Sequence, residues 1–506
     1  MLLVGAYCLK RLASSRKRSL PLPPGPRPLP IIGNLLDVPS ESPWLTFAEW
    51  KHRFGPVSSV SILGQRTVIL NTLASSTAFF DKRGAAYSDR PQPTMACELV
   101  GYKDRLMIFL NYDAQFKHFR TLIRPVMGSR AAVAQYGREL EREARRFVRD
   151  AMTLENEEDS RELEVLIRRT AGSIILKITY GYEVQGANDR LVKVVEEAMS
   201  HFAHVTTPGA FLVDSIPFLK YIPEWIPGMS FKRTAKHYAQ SFTKMIEYPY
   251  RTVKERMATE DAPPSYVSNL LSERPDIDVS EENDIKLSAM ALYAGGADTT
   301  VSAVHSFFLA MTLHPSIQRK AQEEVDAIVG ADRLPTFEDL EHLSYVDAVC
   351  KEVLRWLPVV PLKESIPHIS TADDVYEGMI IPKGTQLIAN LWEMLHDEET
   401  YPDPHTFNPE RFFGSGADGN PQLDPRTICF GFGRRICPGL HLAYPSMMLE
   451  AATALATLNI GRATDKDKNE IVPEVNILPG TICHPIPFKC KVTARSEEAR
   501  DLVQEI

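Results

Sequence analysis

The sequence lacks the patterns that mark several large classes of protein. It has 7 cysteines among 506 residues, an odd number, and no CxxC spacing, so we expect neither a disulfide framework nor a structural zinc site. Its formal net charge of −8 argues against a general nucleic-acid-binding protein, which would normally carry a basic excess. The chain shows no flavin- or nicotinamide-binding domain. What is present is an ordinary globular composition, 44% hydrophobic and 24% charged, in a chain long enough to enclose a ligand cavity.

The N-terminus has an apolar run that is too short to span a bilayer. Met1–Leu9 is apolar and is followed by Lys10, Arg11 and Arg16–Arg18, whereas a spanning helix needs about 20 apolar residues. Positive charge after the run is typical of an anchor whose main part stays in the cytosol. We predict that residues 1–20 associate with a membrane. They would be either a shortened anchor or the end of a longer anchor whose start codon was placed too late. The alternative is a frayed terminus.

The rest of the chain is predicted to be mainly helical with a minor β portion. Pro21–Pro30 reads PLPPGPRPLP, which favours stiff polyproline II and predicts a hinge. Val57–Leu70 alternates and is rich in Val, Ile and Thr, which predicts a β-hairpin with Gly64 in its middle. A mostly helical pattern follows from about residue 113 to 331, and Tyr376–Gln386 indicates a short strand–turn–strand. We find no internal repeat and predict one domain over residues 31–506.

One cysteine lies in a setting suited to a metal-bound thiolate. Residues 430–439 read FGFGRRICPG, and glycines there allow close backbone approach and positive φ angles. Pro438 suits the first position of a helix. Cys437 would then sit at a helix N-terminus, whose dipole favours an anion. The alternative, a buried and inert thiol, is our prediction for Cys429.

This loop resembles the cysteine-loop signature FxxGxRxCxG of the cytochrome P-450 family, and every fixed position is matched, by Phe430, Gly433, Arg435, Cys437 and Gly439. The resemblance implies haem b, with Cys437 as the axial ligand of the iron and with Phe430, Gly431 and Gly439 beside it. It also implies the fold of that family, in which a long central helix crosses the haem and a small sheet region lies towards the N-terminus.

The resemblance covers nearly the whole chain. It begins at Pro23–Pro26 and ends near Cys483 and Cys490. Glu41–Phe47 and Val68–Leu73 are similar to a mushroom subfamily of microsomal enzymes of secondary metabolism. Lys363–Ser365 is a departure, because it lengthens a loop that normally approaches the haem.

A long helix is predicted from an N-cap at Ser280 to His314, before a proline. In its middle, Gly295 and Gly296 would each cost about 1 kcal/mol relative to alanine, which either close packing of another helix or a ligand lying against the backbone would explain. Gly295 to Thr299 resembles the family's oxygen-binding motif AGxDT. By that match Thr299 hydrogen-bonds dioxygen and Asp298 relays protons from solvent.

A third motif is Glu352-Val353-Leu354-Arg355. Residues three apart share a helix face and can pair, although this spacing is common on helices. Its position resembles the ExxR helix of the family, and Arg411, in the sequence PERF, resembles the arginine that completes that ion network. The resemblance assigns Glu352, Arg355 and Arg411 to assembly of the core rather than to chemistry.

The propionates of the implied haem need cations. Arg435 is the first candidate by motif. Arg120 is the second, because Phe116-x-x-x-Arg120 resembles the family's WxxxR with the tryptophan replaced. His368 resembles the position of a third contact, and the alternative for it is a solvated loop histidine.

The resemblance implies a haem-dependent monooxygenase that inserts one oxygen atom of O2 into a lipophilic or aromatic small molecule, by hydroxylation or epoxidation. Substrate contacts by family position lie in Met95–Phe109, Ala291–Ala294, Val359–Ser365 and Leu478–Cys483, which are mostly apolar. Two alternatives stay open: a reductase-independent haem-thiolate peroxygenase or isomerase, and a non-catalytic haem sensor.

The same family resemblance implies the partners of the protein. Electrons would come from NADPH through a separate cytochrome P-450 reductase, and the protein would sit at the endoplasmic reticulum membrane with its catalytic domain on the cytosolic face. Lys117, Arg124 and Arg130, near Arg120, are predicted to form the basic surface on which the reductase docks. The alternative is a merely solvated helix face.

Overall fold

The computed structural model describes residues 20–154, 160–186, 189–207, 209–362, 367–414, 419–478 and 480–504. Its architecture is mainly helical with small sheets, which confirms the predicted class. The predicted N-terminal membrane segment, apart from Leu20, and the predicted loop extension Lys363–Ser365 lie outside the described residues.

The helices are Pro43–Phe54, Leu73–Ser76, Ala114–Met127, Arg130–Ala134, Gly137–Ala151, Ser160–Tyr180, Arg190–Thr206, Leu212–Ser215, Phe231–Ala258, Tyr266–Glu273, Val279–Leu313, Pro315–Ile328, Ser344–Trp356, Leu391–Leu395, Arg426–Cys429, Leu440–Thr457 and Glu497–Gln504. Short π-helical turns are Thr77–Lys82 and Thr94–Leu99, and short 3-10 turns are Met152–Leu154, Pro217–Tyr221, Asp339–Glu341, Pro409–Phe412 and Gly433–Arg435. The strands are Val57–Ile62, Gln65–Leu70, His368–Ile369, Asp374–Tyr376, Met379–Ile381, Gln386–Ala389, Leu458–Arg462, Ile477–Leu478, His484–Pro485 and Cys490–Ala494.

Contacts along the backbone divide the chain into two compact units. Unit 1 is Met1–Gln92, Val360–Met394 and Gly431–Ile436, and unit 2 is Pro93–Val359, Leu395–Phe430 and Cys437–Ile506. The single domain expected over residues 31–506 therefore stays a prediction.

Unit 1 is built on a four-stranded sheet. Val57–Ile62 and Gln65–Leu70 form the predicted antiparallel hairpin. Its turn residues Leu63 and Gly64 both have positive φ angles, 48° and 91°, as a type I′ hairpin turn requires. The second strand pairs in parallel with Gln386–Ala389, which also pairs with His368–Ile369. The strand–turn–strand predicted over 376–386 is wrong in detail, because its last strand belongs to this sheet while Asp374–Tyr376 and Met379–Ile381 make a separate hairpin.

The proline-rich run is bound to the first strand of unit 1. The backbone N–H of Ser59 donates to the carbonyl of Pro24 at 2.7 Å, and its hydroxyl donates to the carbonyl of Pro23 at 2.6 Å. A Cβ at Gly25 would lie 1.9 Å from the Ser59 carbonyl oxygen, so only glycine permits this approach. Pro23 and Pro24, in the predicted hinge, are therefore hydrogen-bonded to the edge of the four-stranded sheet.

Unit 2 is organised around the helix Val279–Leu313, of 35 residues. It packs against Ser160–Tyr180 and Leu440–Thr457 and ends before Pro315, as predicted. The predicted N-cap at Ser280 is wrong, because the Asp278 side chain accepts the hydrogen bond from the first turn. Among the residues that the structure describes, no helix is both long and apolar enough to cross a membrane.

Candidate active site

The cysteine loop closes on itself in unit 2. The backbone N–H of Cys437 donates to the carbonyl of Phe430 at 2.9 Å, which holds the two ends of the loop together. A Cβ at Gly439 would lie 3.8 Å from the Cys437 Sγ, so glycine keeps the space beside the sulfur open. The helix begins at Leu440 with Gly439 as its N-cap. The prediction that Pro438 occupies the first helical position is therefore wrong, and Cys437 precedes the helix by a short turn.

The loop residues between these ends belong to unit 1, where their backbone needs glycine. Gly431 and Gly433 have φ angles of 79° and 54°. A Cβ at Gly433 would lie 2.0 Å from the Phe80 carbonyl oxygen, a distance that no side chain could accommodate. The buried Arg435 donates from Nε to the carbonyl of Ser88 at 2.8 Å. These contacts fix the conformation of Gly433–Arg435 within its own unit.

Arg120 lies in unit 2 on the helix Ala114–Met127, one turn after the buried Phe116. Burial lowers the pKa of its guanidinium, and the negative charge of the Cys437 thiolate acts in the opposite direction. Arg120 is thus a partly buried cation within electrostatic range of the predicted ligand. A site with this charge pattern suits an anionic group placed beside a thiolate.

His368 lies in unit 1, in a short strand. It is 2% exposed, its Nδ1 lies 2.6 Å from the Tyr87 carbonyl oxygen, and its ring centroid lies 4.2 Å from that of Phe80. The alternative of a solvated loop histidine is therefore wrong. Since the partner of Nδ1 is a carbonyl, Nδ1 carries the proton.

The two glycines of the long helix have different surroundings. A Cβ at Gly296 would lie 3.1 Å from Ile175 on the helix Ser160–Tyr180, so this glycine serves close helix packing. A Cβ at Gly295 would meet nothing within 4 Å, although residues 301–312 of the same helix are buried. The helix therefore has a bare backbone patch at Gly295. Thr299 borders it, and its Oγ1 donates to the Gly295 carbonyl at 2.8 Å.

Asp298 is held in an ionic network that the sequence did not reveal. Its Oδ1 lies 2.5 Å from Nη1 of Arg168 and 3.3 Å from Nε2 of His484. Burial opposes ionisation, but these two partners outweigh it and lower the pKa of the Asp298 carboxyl. The carboxyl is therefore ionised at neutral pH. Arg168 also donates from Nη2 to a second carboxylate, Oε1 of Glu164, at 2.8 Å.

Glu352, Arg355 and Arg411 are brought together in the interior of unit 2. Arg355 donates to both carboxylate oxygens of Glu352, at 2.8 and 2.9 Å, and Arg411 donates to Oε1 at 3.0 Å. The three side chains are at most 2% exposed. Other guanidinium hydrogens donate to backbone carbonyls, among them those of Leu395 and Thr406, and to Oε1 of Gln422. Such a buried network is tolerable only because its members satisfy one another.

The residues present fit the haem that the cysteine loop implies. In unit 2, Cys437 offers a sulfur whose flank is kept clear by Gly439, and Arg120 offers a partly buried positive charge near it. The long helix offers an uncovered backbone at Gly295. A thiolate can hold the iron of such a group, a cation can balance its acidic side groups, and a bare backbone lets a flat ring approach closely.

Comparisons with known proteins support this assignment. A family model described as Cytochrome P450 matches residues 23–492. The chain is 44% identical to "Cytochrome P450 monooxygenase 208" of Postia placenta over 483 residues, 96% of this chain and 92% of the relative. It is 42% identical to "Cytochrome P450 monooxygenase claR" of Ampulloclitocybe clavipes over 99% of this chain and 90% of the relative, and 41% identical to "Cytochrome P450 monooxygenase ppsD" of Aspergillus oryzae over 100% and 95%. The chain belongs to the cytochrome P450 family and is a haem-dependent monooxygenase.

Proposed function

We propose that this protein hydroxylates or epoxidises a lipophilic or aromatic small molecule of fungal secondary metabolism, with electrons from NADPH delivered by a separate reductase. The single observation that carries the proposal is the bare backbone patch at Gly295, bordered by Thr299 and Asp298, in the same unit as Cys437. The apolar and half-buried side chains Ala291 and Ala294 precede this patch, which favours an apolar substrate. A substrate-library screen in a host with co-expressed reductase tests it, and product formation without a reductase would favour the peroxygenase alternative.

The cofactor contacts follow from the site. Haem bound through a thiolate supplies the activation of dioxygen. Cys437 would hold it through its sulfur, and Arg120 would balance the charge of a propionate. Arg435 and His368 are proposed for the remaining propionate contacts by resemblance.

Proton delivery is proposed to pass through Asp298 and Thr299. Asp298 is ionised and bridges Arg168 and His484, so it can accept a proton only when one of these partners swings away. Thr299 is oriented by the Gly295 carbonyl, so its hydroxyl lies at the bare patch and can pass a proton on. The network thereby limits proton entry to moments when the Asp298 side chain is released.

Thr299→Ala is expected to uncouple electron consumption from product formation. Positioned proton-transfer groups contribute about 10²–10⁴-fold, so product per NADPH should fall by about 10²-fold while peroxide rises. Haem content and substrate binding should stay unchanged. The readouts are NADPH, peroxide and product in one reaction. Thr299→Ser, which keeps the hydroxyl, is the matched control, and an unchanged yield in Thr299→Ala would show that another group organises the protons.

A reductase surface is proposed on the helix Ala114–Met127. Lys117 and Arg124 are exposed and two turns apart, on one face of this helix. Arg130 differs from the prediction: it lies on the separate helix Arg130–Ala134 and pairs with Glu341 at 2.8 Å. Two cations therefore remain for an acidic partner, close in sequence to Arg120.

Reversing both charges, as Lys117→Glu with Arg124→Glu, should slow the first electron transfer and flatten its salt dependence. Steered association weakens as the Debye length shrinks from about 10 Å at 0.1 M salt to about 3 Å at 1 M. Stopped-flow reduction by the reductase measures both effects, and substrate affinity should not change. Lys466→Glu with Lys491→Glu gives the same net charge at exposed positions and is the control. If the reductase reduces the test variant as fast as the parent, and with the same salt dependence, the reductase docks on another surface.

Membrane association is proposed for an exposed apolar segment of unit 2. Leu212, Phe218, Tyr221 and Trp225 are 67–82% exposed, between the helices Arg190–Thr206 and Phe231–Ala258. Clustered exposed apolar and aromatic side chains are typical of surfaces that enter a lipid interface. We propose attachment to the cytosolic face of the endoplasmic reticulum through this segment together with the N-terminal residues.

A further inference from the structure

A cluster of metal-ligand side chains lies away from the proposed active-site residues, between two helices of unit 2. Glu197 and His201 are one turn apart on the helix Arg190–Thr206, and His237 faces them from the helix Phe231–Ala258. One ligand atom from each residue lies within 4.8 Å of the others, and the two imidazole centroids are 4.9 Å apart. Residues four apart share a helix face, so the first helix presents two ligands to the one on its neighbour.

Neighbouring groups orient these side chains. The Ser241 hydroxyl donates to Oε1 of Glu197 at 2.7 Å, and the Tyr238 ring stacks on His201 with centroids 4.0 Å apart. His201 Nδ1 is buried and has no hydrogen-bond partner among the described residues. A buried nitrogen without a partner costs free energy unless something else binds it. Neighbouring residues therefore hold the side chains of Glu197 and His201 in place, and His201 Nδ1 still needs a hydrogen-bond or metal partner.

We propose that Glu197, His201 and His237 form a binding site for one divalent transition-metal ion of the zinc class. Two imidazoles and one carboxylate are ligands that zinc takes at about 2.0–2.2 Å, with a fourth position left for water. Ligand atoms around such an ion lie roughly 3.3–3.5 Å apart, and those of this cluster lie within 4.8 Å of one another, so no pair has to close by more than about 1.5 Å. Glu197 and His237 are exposed, which leaves the ion a path of entry and the side chains room to adjust.

The bound ion adds a link between two helices that already meet through side-chain packing and through hydrogen bonds such as that from Ser241 to Glu197. Both helices also contact the segment Thr94–Leu99, and the chain between them carries the exposed apolar side chains from Leu212 to Trp225. Occupancy of the site therefore restrains this helix pair and stabilises the folded protein by mass action.

The test uses tag-free holoenzyme and zinc chloride, followed by isothermal titration calorimetry and by thermal unfolding. Wild-type protein should bind one zinc ion in addition to its haem iron, and zinc should raise its Tm. His237→Gln and Glu197→Gln should each weaken zinc at least tenfold and abolish the rise in Tm. Crystals grown with zinc should show an anomalous peak at the zinc edge between the two helices.

His342→Gln is the control, because it removes an exposed histidine outside the cluster and should leave zinc binding unchanged. The spectrum of the reduced, carbon-monoxide-bound protein shows that each variant is folded around its haem. No saturable uptake by wild-type protein, or equal affinity in wild type, His237→Gln and Glu197→Gln, would overturn the proposal. A zinc peak on other residues would do the same.

Discussion

Cys437→Ala should lose its haem, or lose the red-shifted Soret band that the reduced, carbon-monoxide-bound protein shows when a thiolate holds the iron. The loop that presents Cys437 is closed by its own backbone hydrogen bond to Phe430, so the substitution removes the sulfur without opening the loop. Every 1.4 kcal/mol of lost binding is tenfold in affinity, and we expect haem occupancy to fall at least tenfold. Haem content per chain and the difference spectrum measure it.

The chain offers a matched control for this experiment. Cys429 ends the short helix Arg426–Cys429, and burial raises the pKa of its thiol well above the ordinary range, which makes it a poor ligand. Cys429→Ala should therefore keep both the haem and the band. A band retained in full by Cys437→Ala would end the assignment of Cys437, and loss of the band in Cys429→Ala alone would transfer the assignment to that residue.

Glu352→Ala should prevent the protein from reaching a stable folded state. It leaves Arg355 and Arg411 without their shared carboxylate, and both are buried. Breaking a buried pair by removing one partner costs about 3–5 kcal/mol, and a typical protein is stable by only about 5–15 kcal/mol. Because two arginines lose the same partner, we expect insoluble or rapidly proteolysed protein without haem. Soluble yield and haem incorporation in one expression host are the measurements.

The control for Glu352 is another Glu-x-x-Arg pair. Glu139 and Arg142 have the same spacing and lie 2.5 Å apart, but Arg142 is 51% exposed. Exposed pairs contribute about 0–1 kcal/mol, so Glu139→Ala should express and bind haem normally. If Glu352→Ala is as soluble and as haem-replete as Glu139→Ala, the buried network is not what holds this part of the core.

Local pattern was enough to predict the hairpin, the long helix and the cysteine loop, because each depends on neighbouring residues. Local pattern could not locate the first residue of a helix where two neighbouring residues both suit the N-cap position. Asp278 and Ser280 are both good N-caps, and only the folded backbone shows that Asp278 accepts from Glu281. Likewise Pro438 suits a helix start, but Gly439 takes the N-cap position because the preceding residues are tied into the loop.

Contacts between distant parts of the chain were beyond the sequence. Arg168 lies 130 residues from Asp298, and no spacing rule connects them. His484 comes from a strand near the C-terminus. Gly296 shows the same limit, because its role in packing depends on Ile175 of another helix. A buried carboxylate in a motif signals that counter-charges must exist, but it does not say where in the chain they are.

The three-part composition of unit 1 has a consequence for the order in which the protein can form during synthesis. In this unit, the strand Gln65–Leu70 cannot complete its pairing until Gln386–Ala389 has been synthesised, because Thr67 pairs with Gln386, 319 residues later. The last segment of the unit to be synthesised is Gly431–Ile436. At about 5–20 residues per second, a ribosome needs roughly 16–64 s to go from Leu70 to Ala389. Throughout that interval the first hairpin has an unpaired edge, which is the kind of surface that invites wrong pairing. Translation speed and chaperone supply should therefore affect the yield of this protein.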